Sequence, residues 1–163
     1  MAGFEHDLKE LGVQGISSVG KALSSRAEDY VNDQHLEQSW AIMTMKYAET
    51  HFKLLQSYDA TTLRLTASDD EIYSMFMEKF NNLKLELLTP DDLKSEAAKT
   101  AWREYCNYFE GKVEDFNFAT LLRLDVTKEY TEENTIIVPR VQFLAIEIAR
   151  NRRHMNTMHH VTS

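Results

Sequence analysis

Three charged side chains, Arg140, Glu147 and Arg150, interrupt a run that is otherwise apolar, VQFLAIEIA. Glu147 and Arg150 are three residues apart, a spacing that lets a carboxylate and a guanidinium meet on one helix face. Two uses fit this pattern. One is a structural ion pair where a helix leaves the core. The other is a polar hot spot on a binding face, with Arg140 and Asn151 on the same stripe and Phe143 as an apolar anchor, since arginines and aromatics often dominate binding energy.

Acid–base chemistry would draw on Glu114, Asp115, Glu132 and Glu133. Nothing around them in the sequence implies burial or a shifted pKa, so a solvated acidic surface is the preferred reading. Cys106 lies among aromatics in WREYCNYF and reads as a small buried residue. As the one cysteine of the chain it can form neither an internal disulfide nor a thiolate zinc site, which points to a reducing compartment. His51 falls on an apolar helical face and is expected to be a satisfied core histidine. His154, His159 and His160 sit near the end of the chain without a nearby carboxylate, so no native metal site is expected. The five glycines are Gly3, Gly12, Gly15, Gly20 and Gly111. None forms a Walker-type loop or a G-x-G-x-x-G turn, where backbone must approach phosphate. No cofactor is expected, which disfavours an ATPase, a dehydrogenase or a Rossmann methyltransferase, and the chain reads as non-enzymatic.

Charge and composition narrow the partners. The 163 residues are 43% hydrophobic and 27% charged, a mix suited to one soluble domain with a real core. A formal net charge of −8 argues against nucleic acid, which needs a basic face. It favours a basic protein partner. From Glu110 to Asn134 seven acids face three bases, whereas from Arg140 onward four arginines face one acid. No apolar run approaches the roughly 20 residues that span a bilayer, and the acidic N-terminus lacks the basic start of a signal peptide. A cytoplasmic location is therefore expected, with no membrane partner.

Several elements would position these residues. Residues 1–16 read as a loose lead-in, 17–155 as a single helical domain and 156–163 as a loose tail. A first helix is predicted from about Asp33 to Tyr58, capped by Asn32 or Asp33. Trp40, Met43, Tyr47, His51, Leu54 and Leu55 recur on one face, and Glu37, Lys46, Glu49 and Lys53 lie opposite. Ser68-Asp69-Asp70-Glu71 has the form of a capping box opening a second helix with Ile72, Met75, Phe76, Phe80 and Leu83 in one stripe. Thr89-Pro90-Asp91-Asp92 opens a third, carrying Leu93, Ala97, Ala101, Tyr105 and Phe109, with Gly111 as its stop. Residues 113–126 are ambiguous. Phe116, Phe118, Thr120, Leu122, Leu124 and Val126 alternate like a strand, yet Asp115 could cap a short helix, and helix is slightly preferred. Thr135–Val138 is the candidate partner if a strand forms. The last helix runs from near Pro139 to near His154. The fold class is thus mainly α, a compact helical bundle, with one short β-hairpin around 121–138 as an option.

VEDFNFATLLRLD followed by YTEENTIIVPRVQFLAIEIARNR resembles the paired signature of the polysaccharide-biosynthesis-domain-containing protein family. HLEQSWAIMTMKYAETHFKLL and LTASDDEIYSMF upstream are also similar to it, so the resemblance spans about residues 20–153. It implies a mainly helical domain of the cytosol, in some members also of the nucleus. The family name suggests a polysaccharide-modifying transferase. The resemblance also implies a chaperone dedicated to translation elongation factor 1-alpha, acting on its GTPase domain at the ribosome and recruited by the nascent-polypeptide-associated complex. The matching positions, taken as partner-binding candidates, are Glu114, Asp115, Asn117, Arg123, Tyr130, Glu132, Glu133, Asn134, Arg140, Gln142, Phe143, Glu147, Arg150 and Asn151.

Overall fold

A computed structural model of the protein describes residues 34–161. The expected lead-in over 1–16 and the Asn32 or Asp33 cap lie outside the described residues. Helix α1, Gln34–Ser57, has no proline or glycine across 24 residues and is about 36 Å long at 1.5 Å per residue. Its inward face is the expected one. His51, Leu54 and Leu55 are buried, joined by Thr44 and Ala48, while Glu37, Lys46, Glu49 and Lys53 are exposed.

A 3-10 turn at Ala60–Thr62 leads to α2, Asp69–Lys79. Its start corrects the expected capping box. Ser68 makes no side-chain cap bond. Instead Asp69, only 2% exposed, turns its carboxylate back to accept the Leu65 and Thr66 amides, both at 2.7 Å. The Ser68 backbone is not extended, so its hydroxyl is not placed over the first helical amides.

Thr89 and Asp92 do form a reciprocal capping box with Pro90 in the first turn, opening α3, Pro90–Lys94. The predicted third helix is nevertheless two helices. Ser95 takes an extended backbone, and its hydroxyl caps α4, Glu96–Tyr108, by accepting the Ala98 amide. The break shifts the helical phase. Trp102, Tyr105, Cys106 and Phe109 point inward, whereas the expected Ala97 and Ala101 are exposed. Gly111 follows at φ +80°, the left-handed stop that its position suggested.

Residues 119–123 form strand β1, not the preferred helix. It pairs antiparallel with β2, Thr135–Pro139, in a register running from Ala119 opposite Pro139 to Arg123 opposite Thr135. The alternation of Thr120 and Leu122 was a true strand signal, because a partner lay 16 residues downstream. Helix α5, Arg140–Arg152, then runs through the middle of the fold. It packs on α2, α4, both strands and the Ala60–Thr62 turn, and every residue from Val141 to Asn151 is buried. Among the described residues the chain is mainly helical with this one hairpin.

The tail expected to be loose is docked as far as Val161. Asn156 is fully buried, Thr157–His159 forms a 3-10 turn, and the Val161 amide reaches the Gln56 carbonyl at 2.8 Å.

Candidate functional site

The partner-binding candidates divide into an interior group and a surface group. The interior group centres on Glu147, whose carboxylate is fully buried. It accepts hydrogen bonds from Arg150 Nη1 at 3.0 Å, from Arg123 Nη2 at 3.3 Å to both oxygens, and from Asn156 Nδ2 at 3.0 Å. Two cations thus meet one anion. The excess charge is spread over main-chain carbonyls. Arg123 donates to Val126 and Lys128, while Arg150 donates to Leu85, Arg123 and Leu124. A buried charge is tolerated only when it is paired and hydrogen-bonded in this way. The guanidinium's planar fork of donors suits it to gather several carbonyls at once.

His51 closes the network from α1. Its Nδ1 lies 2.7 Å from the Tyr130 hydroxyl, and its Nε2 lies 3.8 Å from Glu147 Oε1. The ring packs edge-on against Phe143 at 5.2 Å. This is the satisfied core histidine that its place on α1 suggested. Burial pushes its pKa down to about 4, Glu147 opposes this, and Arg123 and Arg150 add to it. The ring is therefore neutral near pH 7. Burial alone would raise the Glu147 carboxyl, yet Arg123 and Arg150 overcome it and hold the group well below the usual carboxylate range. Burial raises the Tyr130 phenol, with Glu147 acting in the same direction.

Asn134 has a local task. Its side chain accepts the Asp125 amide at 2.8 Å and donates to the Asp125 and Glu129 carbonyls, holding the connection between the strands in place of a tight turn. Phe143, Gln142 and Asn151 are each buried, at 2–3% exposure. The exposed polar stripe expected along the last helix is thus corrected. Glu147, Arg150 and Asn151 face the interior because α5 is covered on all sides, and Phe143 is a core residue rather than a surface anchor. Arg123, Tyr130 and Asn134 likewise serve the interior. Sequence reasoning missed Asn156 and His159 in this network. His159 Nε2 lies 2.7 Å from the Val126 carbonyl and 3.2 Å from Arg123 Nη1. No spacing rule marks either residue, since their contacts to the Arg123–Val126 stretch span 33 or more positions.

The surface group lies at the two ends of the hairpin. At one end Arg140 donates to the Glu114 carbonyl. Asp115 adopts φ +52°, a conformation aspartate tolerates better than most residues, and its carbonyl accepts the Phe118 amide. Burial raises the Asp115 carboxyl, and Arg140 partly offsets it. Burial likewise lifts Tyr47 to about 12, with Arg140 lowering and Asp115 and Glu114 raising it, which places α1 beside this corner. Glu114 and Asn117 are exposed there. At the other end Glu132 and Glu133 project from a 3-10 turn, also exposed.

A cleft of about 370 Å3 lies between α3, α4 and the start of the hairpin, with Lys94, Lys99, Arg103, Asn117 and Gln142 among its lining residues. A second, more open cleft lies between α1 and the 127–131 loop, next to Met158 and His159. Neither is lined by Glu114, Asp115 or Glu147. Cys106 is buried, with burial pushing its thiol up to about 12, so it is inert in the folded protein.

A model of the PBDC1 protein family matches residues 36–161, which covers the helices, the hairpin and the docked C-terminal turn together. The chain belongs to the PBDC1 family. It is 54% identical over 139 residues to the Mus musculus protein PBDC1, covering 85% of this chain and 70% of that one. The Homo sapiens protein is also 54% identical, but the match spans 60% of its length. The PBDC1 homologue of Saccharomyces cerevisiae is 44% identical over 134 residues, which are 80% of this chain and 92% of that protein. A solution NMR structure of a Saccharomyces cerevisiae protein, 43% identical, superposes with a TM-score of 0.70 over 82% of this chain and 94% of that one. The mainly helical PBDC1 fold with a single hairpin is thus shared with a solved structure.

Proposed function

We propose that this PBDC1-family chain is a non-enzymatic, ATP-independent client-binding protein. Its client, following the resemblance set out above, is the GTPase domain of translation elongation factor 1-alpha as it leaves the ribosome. The observation that carries the reading is the division of the charged residues. Three strongly perturbed groups, Glu147, His51 and Tyr130, are consumed by an interior network that fixes α5. The acids Glu114, Glu132 and Glu133 stand exposed on either end of the hairpin that α5 supports.

Exposed carboxylates on a chain of net charge −8 suit a basic protein surface and speed its encounter. Binding energy alone can hold such a client folded, so no nucleotide or other cofactor is required. In this reading the protein works in the cytosol, with a nuclear pool allowed, beside the ribosome and the nascent-polypeptide-associated complex. It needs neither nucleic acid nor membrane as a partner. Among the described residues no helix is long and apolar enough to cross a membrane. Arg140 and Asn117 complete the exposed corner, and the buried candidates act by holding the hairpin in place.

The test is a pull-down from eukaryotic lysate at native salt. Tagged protein should recover elongation factor 1-alpha, and a Glu132→Lys/Glu133→Lys variant should recover much less while retaining its melting temperature. Recovery of neither the elongation factor nor ribosome-associated factors would overturn the reading.

A further inference from the structure

The cleft between α3, α4 and the hairpin carries the opposite charge to the rest of the molecule. Among the described residues three cations line it, Lys94, Lys99 and Arg103, and no carboxylate does. All three are exposed. Burial lowers the Lys94 pKa and the charge of Lys99 lowers it further, so these ammonium groups repel one another across the rim. Among the described residues the acid paired with them is Glu96, 3.9 Å from Lys99 and itself 96% exposed. The floor is apolar, with Leu93, Trp102, Phe116 and Pro139.

Two further lining residues carry buried donors without a partner among the described residues, Trp102 Nε1 and Gln142 Nε2. Each residue is 3% exposed. Buried donors are usually paired, and these two are among several side-chain atoms of the described residues that are not. The volume, about 370 Å3, falls in the range of sites that seat a small ligand or a few side chains.

We infer that this cleft docks a short acidic peptide segment of a second protein. The segment places one large apolar side chain on the Leu93–Trp102–Phe116 floor and its carboxylates against Lys94, Lys99 and Arg103. The site is separate from the acidic hairpin ends and takes a partner of opposite charge to the client proposed above. The protein would thereby bridge a basic client and an acidic recruiting partner.

Fluorescence anisotropy of the full chain with a labelled, end-blocked peptide Asp-Glu-Phe-Asp-Leu-Glu tests this. Saturable binding is expected, with the Trp102 indole and Gln142 side-chain NMR signals shifting. The Asn/Gln analogue of the peptide, and separately Lys94→Gln/Arg103→Gln in the protein, should each weaken binding by about tenfold, in keeping with the loss of two or three rim charges. Glu132→Lys/Glu133→Lys should leave peptide binding unchanged, which separates this site from the client face. Equal affinity of the Lys94→Gln/Arg103→Gln variant would overturn the inference. So would a phosphate-bearing oligonucleotide that binds the cleft more tightly than the peptide. Indole and Gln142 signals that stay fixed as the peptide is added would also overturn it.

Discussion

Arg150 donates to Glu147 at 3.0 Å, three residues back along α5, and neither side chain has any exposed surface. Arg123 approaches the same carboxylate from β1. The helix and the hairpin are thus joined by charge in the interior, and the geometry of the exposed hairpin ends depends on that junction.

Breaking the junction should be costly. Glu147→Gln leaves two buried guanidinium groups facing a neutral amide, and removing one partner of a buried pair typically costs about 3–5 kcal/mol. Urea denaturation followed by circular dichroism should show a loss of that size. A loss within a few tenths of a kcal/mol would mean that the network contributes little to folding. Arg150→Glu should fail to fold at all, so charge reversal there cannot report on binding.

Stability should fall with acid in two stages. His51 has its folded pKa lowered to about 4 from 6.5. Between these values the unfolded chain binds a proton that the folded chain refuses, so stability declines as pH drops from about 6.5 to about 4, by an amount on the order of 3 kcal/mol. Glu147 has its folded pKa depressed, so its contribution is present above the unfolded value of about 4.3 and is lost as pH falls further. Denaturation midpoints across pH 3–8 should show this slope, and His51→Gln should flatten the upper stage. An unchanged slope in the variant would assign the acid sensitivity elsewhere.

Much of this fold is written locally. The Thr89-Pro90 start and the Gly111 stop are set by neighbours in sequence, and both are where local rules put them. The Ser95 break contains neither glycine nor proline, so the run appears continuous until the inward face shifts phase. The connection between the strands lacks a glycine turn because the Asn134 side chain supplies the bonds that a turn would make. Arg123, Glu147 and Arg150 carry charges that are usually exposed, and only the cover around α5 turns them inward. For these charges the deciding contacts lie 24 to 65 residues away in sequence.

Gly111 gives a local test of the α4 stop. At φ +80° an added Cβ would meet nothing within 4 Å, so the cost of Gly111→Ala is conformational alone. It should be about 1–2 kcal/mol, and Gly111→Asn should cost less. A neutral alanine variant would mean that the turn relaxes to negative φ.

Cys106 should report on opening of the core. Its thiol is buried and held near 12, so a disulfide reagent should label it at a rate set by unfolding, and faster in step with added urea. Rapid labelling in native buffer would show that α4 separates from the core without global unfolding.

The most direct test of the central claim is calorimetric titration of the elongation factor 1-alpha GTPase domain into the full chain, wild type against Glu114→Lys/Glu132→Lys/Glu133→Lys. Client binding through the exposed hairpin ends predicts a saturable interaction with the wild type. The variant should bind at least about tenfold more weakly, the loss of a few kcal/mol of rim electrostatics at most, at an unchanged melting temperature. Equal affinity in the two proteins, or no heat of binding with the wild type, would contradict it.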